Sequence, residues 1–178
     1  MTAVRRVSRN VSLTMFGSIF ARICFLVAGI ASARYLGPEL YGIYSFAMFF
    51  SFLFATLSDG GLTLIMTRET ARDTGKASAY AGSVALMKVG LVLVSLLLIS
   101  GALALMDLSP LKIKAVYMAA AANLIYFYGL TAIGIFRAFE RMEYESVVLV
   151  LQGCVLLLVV LAAVYLEASV LALLGAVL

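Results

Sequence analysis

The chain has 178 residues, 65% of them hydrophobic and 12% charged, with a net charge of +4 and no histidine. Soluble globular chains carry about 25% charged and about 45–50% apolar residues, so a mean hydropathy of +1.13 excludes a water-exposed fold and makes lipid the solvent. The basic residues are scattered between apolar runs instead of forming one stripe, which argues against a nucleic-acid partner, and the lack of histidine removes the commonest metal ligand and general base.

Five full apolar runs and a partial sixth follow in chain order: Val11 to Ala33, Leu40 to Leu57, Tyr80 to Met106, Ala115 to Phe136, Val147 to Leu166, and Val170 to the end. Each full run is long enough to cross about 30 Å of hydrocarbon as a helix, the only open-chain way to satisfy backbone polar groups in lipid. The expected fold class is all-α, a polytopic transmembrane helical bundle of five to six spans. Residues 1–178 are read as a single transmembrane domain, truncated within the sixth helix.

The first run follows Arg5, Arg6 and Arg9 and ends in Ala31-Ser32-Ala33, a pattern like a signal-peptidase site. Arg22 interrupts it, however, and it is longer than a signal core of about 7–15 residues, so it is read as a retained span. At about 100° per residue, Thr14, Ser18, Arg22, Gly29 and Ser32 share one arc, while Phe16, Ile19, Phe20, Ile23, Leu26, Val27 and Ile30 lie opposite. Such a helix lines a bundle interior or a hydrated cavity. An unpaired cation in mid-span costs at least about 2.5–3.5 kcal/mol. Arg22 therefore either faces water and attracts an anionic group such as a phosphate, or makes a structural pair with an acid or a carbonyl.

Between the first two runs, Arg34-Tyr35-Leu36-Gly37-Pro38-Glu39 reads as a tight turn, with Gly37 for an unusual backbone angle and Pro38 for the next helix start. The second run places Tyr44, Ala47, Ser51, Ala55 and Ser58 on one stripe, a helix-packing surface first and a cavity lining second. Asp59-Gly60-Gly61 then breaks the helix. Asp59 is a gate candidate against the plainer reading of a cap or surface charge. Thr67 to Asp73 is a mixed-charge, helix-compatible stretch expected along the cytoplasmic membrane surface.

Lys88, in the third run, either snorkels or faces a cavity. Asn123 in the fourth and Gln152 in the fifth are cavity candidates, with an interhelical hydrogen bond as the rival reading. Cys24 and Cys154 sit inside apolar runs, where buried or lipid-facing thiols are expected instead of a disulfide or a zinc site. With the N-terminus inside, the inner segments carry Arg5, Arg6, Arg9, Arg68, Arg72, Lys76, Arg137 and Arg141, and the outer ones Arg34, Lys112 and Lys114. That bias predicts a cytoplasmic N-terminus. Catalytic motifs are missing from the sequence: there is no phosphate loop, no Gly-x-Ser-x-Gly elbow and no His-Glu-x-x-His. Asp59-Gly60 with Ala71-Arg72 lacks the downstream aspartates that a membrane phosphotransferase metal site needs. The chain is thus read as a transporter with no cofactor and no metal.

Ala33-Arg34-Tyr35-Leu36-Gly37-Pro38-Glu39-Leu40-Tyr41-Gly42-Ile43-Tyr44-Ser45, then Ser58-Asp59-Gly60-Gly61-Leu62 and Thr67-Arg68-Glu69-Thr70-Ala71-Arg72, resembles the opening of the polysaccharide-biosynthesis flippases. These include the O-antigen and lipid-linked oligosaccharide translocases of the multidrug/oligosaccharidyl-lipid/polysaccharide superfamily. The resemblance covers about residues 8 to 75 and implies the N-terminal lobe of a two-lobed inner-membrane flippase. Its substrate would be an undecaprenyl-pyrophosphate-linked glycan, moved by alternating access through a cationic cavity. By the same resemblance Arg22 corresponds to a cavity-lining arginine, and Asp59, Gly60 and Arg68 form a gate or hinge; Ser18, on the polar arc of the first span, is a further cavity candidate, and the expected partners are the bilayer, the lipid-linked substrate and glycosyltransferase or polymerase membrane proteins. Two other readings stay open: a multidrug or small-solute antiporter of the same superfamily, and a non-transporting membrane subunit of a polysaccharide assembly complex.

Overall fold

The computed structural model describes residues 3–166. The sixth apolar run lies outside the described residues, and so do the side chains of residues 3–11 and 13, Arg5, Arg6 and Arg9 among them. The described chain is helical: α1 (Ala3–Leu57), α2 (Leu62–Arg72), a short 3-10 turn (Thr74–Lys76), α3 (Ala77–Leu105), α4 (Pro110–Ala138) and α5 (Met142–Tyr165). Four helical segments among the described residues are long and apolar enough to cross a membrane: Thr14–Leu57, Thr74–Leu105, Pro110–Ala138 and Met142–Tyr165.

The first of these is 44 residues long, about twice what one crossing needs, and it is broken at one residue. Gly37 takes φ 69° and ψ 175°, a region open almost only to glycine, and Pro38 starts the second arm with its fixed φ and no amide hydrogen to leave unpaired. Chain direction requires that α1 turn back there. At Gly17 a Cβ would lie 2.6 Å from Ser146 Oγ, and at Gly153 one would lie 3.0 Å from Ala21 Cα and 3.3 Å from Cys24 Cβ. The first arm of α1 and α5 therefore run parallel. With α1 as one crossing, alternation through α3, α4 and α5 would make them antiparallel; with α1 as two, they are parallel as found. The turn expected at Arg34–Glu39 is thus there, compressed to one non-helical residue, with helix continuing to Leu36 and resuming at Pro38.

Each arm of α1 has its own partner. On the first arm Ala21, Cys24 and Ala28 are buried along the close seam with α5, where small residues let backbones approach and dispersion replace lipid contact. On the second, Ala47, Ser51 and Ala55 are fully buried. Ala47 packs in a cluster with Val116, Ala119 and Ala120, and Ala55 in one with Leu124 and Phe127, so the stripe seen in the sequence is the α4 contact. The opposite face of the first arm stays open: Phe16, Ile19, Ile23, Leu26 and Ile30 are all exposed, as residues solvated by acyl chains must be.

The helices run past the apolar runs at their ends. α3 starts at Ala77 instead of Tyr80, α4 at Pro110 instead of Ala115, and α5 at Met142 instead of Val147, because polar first turns continue a helix beyond the hydrocarbon. The α4–α5 turn passes through Glu140 at φ 55° and is clamped by Arg137, whose Nε and Nη2 donate to Glu145 Oε2 and Oε1 at 3.0 and 2.6 Å. At the other end of the bundle, the Gly37 turn and the α3–α4 turn enclose a cleft of about 480 Å³ lined by Glu39, Gly42, Ile43, Phe46, Leu108, Ser109 and Lys112.

The helix α2 is docked on the bundle. The stretch expected along the membrane surface forms the C-terminal part of this helix, in which Met66 and Thr70 are buried, and the helix packs on α3 and α4. Gly134 makes this possible, since a Cβ there would meet Thr67 Oγ1 at 2.7 Å, Thr63 Cγ2 at 2.9 Å and Met66 Cε at 3.0 Å. Only the outward face of α2 is free, with Leu64 and Ile65 exposed and Arg68 and Arg72 beyond them.

Candidate functional site

The sequence places two cations inside apolar spans, and the fold treats them in opposite ways. Arg22 lies about 12 Å of helix beyond Thr14 at 1.5 Å per residue, on the first arm of α1. It is exposed, and Ser18 one turn earlier is half-buried. Ala21, Cys24 and Ala28 turn into the α5 seam, so Arg22 projects roughly 120° away from that seam on the helical wheel and Ser18 roughly 80°. Gln152 precedes the seam residue Gly153 and is half-buried on the flank of α5. For two parallel helices in contact, the leading flank of one and the trailing flank of the other open to the same side. Ser18, Arg22 and Gln152 therefore share one side of the α1–α5 pair, with Arg22 and Gln152 at the same level. Among the described residues no acid or carbonyl is hydrogen-bonded to Arg22, and the described ion pairs are those of Arg72, Lys76, Lys88 and Arg137.

Asn123 is elsewhere. Its amide nitrogen donates to Ser51 Oγ at 2.8 Å and to the Met48 carbonyl at 3.3 Å, and Ser51 Oγ donates in turn to the Ala47 carbonyl at 2.7 Å. The residue is 7% exposed and joins α4 to the second arm of α1. The structure does not bring it together with Arg22, Ser18 and Gln152.

Lys88 corrects the sequence reading more sharply, since it neither snorkels nor faces a cavity. Its side chain is 1% exposed. The ammonium lies 2.6 Å from Asp59 Oδ1 and donates to Thr63 Oγ1 at 2.8 Å and to the Phe127 carbonyl at 2.9 Å. Thr63 Oγ1 also donates to Asp59 Oδ1. All three ammonium donors are thus used. The ammonium on α3 thereby holds the α1–α2 turn, α2 and α4 together. Burial pushes the Asp59 carboxyl up, but the hydrogen bonds from Lys88 and Thr63 and the Lys88 charge outweigh it and hold the group below the usual carboxylate range. Sequence reading found both residues and missed their pairing. The available signal was that one acid at the end of the second span and one lysine in the third are opposite charges, each in need of a partner.

The three gate candidates separate as well. Asp59 is pinned by Lys88, Gly60 stands beside it at φ 50° with Gly61 at φ 80°, and Arg68 is exposed on α2. Two successive left-handed glycines form a break that other residues would strain. The described residues contain no group of three or more His, Cys, Asp or Glu able to hold a metal ion.

No curated protein and no solved structure matches the chain. The family model described as polysaccharide biosynthesis protein matches residues 7–178. With its long apolar helices and this match over nearly its whole length, the chain is a multi-pass membrane protein that belongs to the polysaccharide biosynthesis protein family.

Proposed function

We propose that the chain forms one lobe of a transporter that carries a lipid-linked oligosaccharide, of the undecaprenyl-pyrophosphate type, outward across the inner membrane by alternating access, with no chemical step of its own. The observation that carries this reading is Arg22: a cation within a span, exposed, without a hydrogen-bonded or ionic partner among the described residues. Its side of the α1–α5 pair is shared with Ser18 and Gln152. A guanidinium so placed cannot rest in lipid at reasonable cost, so that side is open to water in the assembled transporter. Its planar fork of donors suits the two phosphates of a pyrophosphate, and Ser18 and Gln152 add neutral hydrogen-bonding groups.

The cytoplasmic placement of the N-terminus is supported by the distribution of Lys and Arg over the connectors. Gly60 and Gly61 supply a hinge at the end of the second crossing, and Asp59 fixes one of its positions through Lys88. Asn123 is left out of the proposed site because its amide is spent on Ser51 and Met48.

The test is Arg22→Ala in the full-length protein, assayed for glycan export and membrane insertion. Loss of one charge-assisted bidentate contact is worth about 1.5–3 kcal/mol, so export should fall about tenfold to a hundredfold while insertion is unchanged. Undiminished export would remove Arg22 from the substrate path.

A further inference from the structure

The point occupied by the Lys88 ammonium is built from oxygen atoms of the kinds that bind hard cations: a carboxylate, a hydroxyl and a main-chain carbonyl. Asp59 Oδ1, Thr63 Oγ1 and the Phe127 carbonyl come from three different parts of the chain and converge on it at 2.6, 2.8 and 2.9 Å. The Thr63 hydroxyl donates its hydrogen to Asp59, which leaves its lone pairs turned toward the ammonium. The oxygen set carries one negative charge and the Lys88 side chain is 1% exposed, so a single positive charge neutralises it without residual charge in a medium where an unpaired ion is costly. A divalent ion would be under-compensated by the single carboxylate.

We infer that Asp59, Thr63 and the Phe127 carbonyl constitute a monovalent alkali-cation site that the chain fills with its own lysine ammonium. An ammonium group and a potassium ion are of similar size, and the three oxygens that hold the one would supply part of the shell of the other, with water completing it on the Asp59 side, where the side chain is 16% exposed. Because the occupant is tethered to α3, it does not exchange with solvent, and this part of the chain is held together independently of the salt outside. Shortening residue 88 turns the same oxygens into an exchangeable site for sodium or potassium. This inference does not depend on what the protein transports.

The experiment uses the full-length protein in detergent, as wild type, Lys88→Ala, Lys88→Ser and Asp59→Asn/Lys88→Ala, unfolded by heat in sodium, potassium or choline chloride at equal ionic strength. The wild type should melt at the same temperature in all three salts. Lys88→Ala and Lys88→Ser should melt lower in choline and be raised, saturably, by sodium or potassium by at least about 2 °C. The double variant, lacking the carboxylate charge, should not respond to which cation is present. Equal behaviour of Lys88→Ala in the three salts, or a response retained in the double variant, would overturn the site. So would a failure of both the alanine and the serine variant to fold in every alkali chloride.

Discussion

Arg22 and Lys88 are two cations in apolar helices of one bundle, and they illustrate the two ways a membrane protein can afford such a residue. Lys88 is enclosed, with each ammonium hydrogen on a protein oxygen. Arg22 is exposed, with a polar flank of α1 around it and no partner among the described residues. The enclosed cation has no bonding capacity left for a substrate and serves the architecture. The open one contributes nothing to the described bundle and has all its donors free, which is the condition for a binding group. Position in the sequence does not separate these cases, since both residues interrupt long apolar runs; the partners do.

The contrast is broken most strongly at Lys88. Replacing it by Ala leaves the Asp59 charge without its ionic partner, and because that side chain is 16% exposed the cost falls below about 3–5 kcal/mol, the figure for a fully buried pair. Lys88→Ala should therefore lower the melting temperature in choline chloride more than any other single change named here, while Asp59→Asn/Lys88→Met recovers most of the loss. Arg22→Ala comes next. It should cut export by about tenfold to a hundredfold with the melting temperature unchanged, and Arg22→Lys should restore part of the activity, because charge survives and the fork does not.

Close packing is a smaller matter. At Gly134 a methyl group would press on Thr67, Thr63 and Met66, so Gly134→Ala should cost about 1–3 kcal/mol as over-packing, read as a lower melting temperature. Asn123→Ala removes one interhelical hydrogen bond, worth on average about 0.6 and at most about 1.7 kcal/mol in a membrane. The melting temperature should drop slightly, with export per folded molecule unaltered.

Acid produces the least effect. A carboxyl held below its usual value contributes stability that is complete above the unfolded-state value, 3.8 for Asp59, and is lost as pH falls through the depressed folded value. Melting temperature should thus be insensitive to this group down to about pH 5. It should decline below about pH 4 more steeply in the wild type than in Asp59→Asn.

Much of this architecture can be read from residue order alone. Gly37-Pro38 marks the turn that lets α1 cross twice, and the Ala47, Ser51, Ala55 stripe marks a helix contact, because both rest on local chemistry. The partition of the first span into an apolar and a polar face was equally visible, since a period of 3.6 residues is a property of one helix. What was not visible depends on how separate helices meet. Lys88 could not be matched to Asp59, Thr63 and Phe127 without the register of α3 against α2 and α4. Nor could the docking of α2 on the bundle be read without knowing that Gly134 stands opposite Thr63, Met66 and Thr67. Asn123 and Gln152 look alike as amides in apolar runs; only tertiary contacts separate the one bonded to Ser51 from the one beside the α1–α5 seam.

The claim on which the account turns is that the Arg22 side of α1 is wet and the α1–α4 interface is dry. It is tested by single cysteines at positions 18, 22 and 123 in the full-length protein, with Cys24 and Cys154 replaced by alanine, exposed in membrane vesicles to a thiol reagent that cannot cross the bilayer. Positions 18 and 22 should react from at least one compartment, and position 123 should not. Silence at both 18 and 22 from either compartment would contradict that claim.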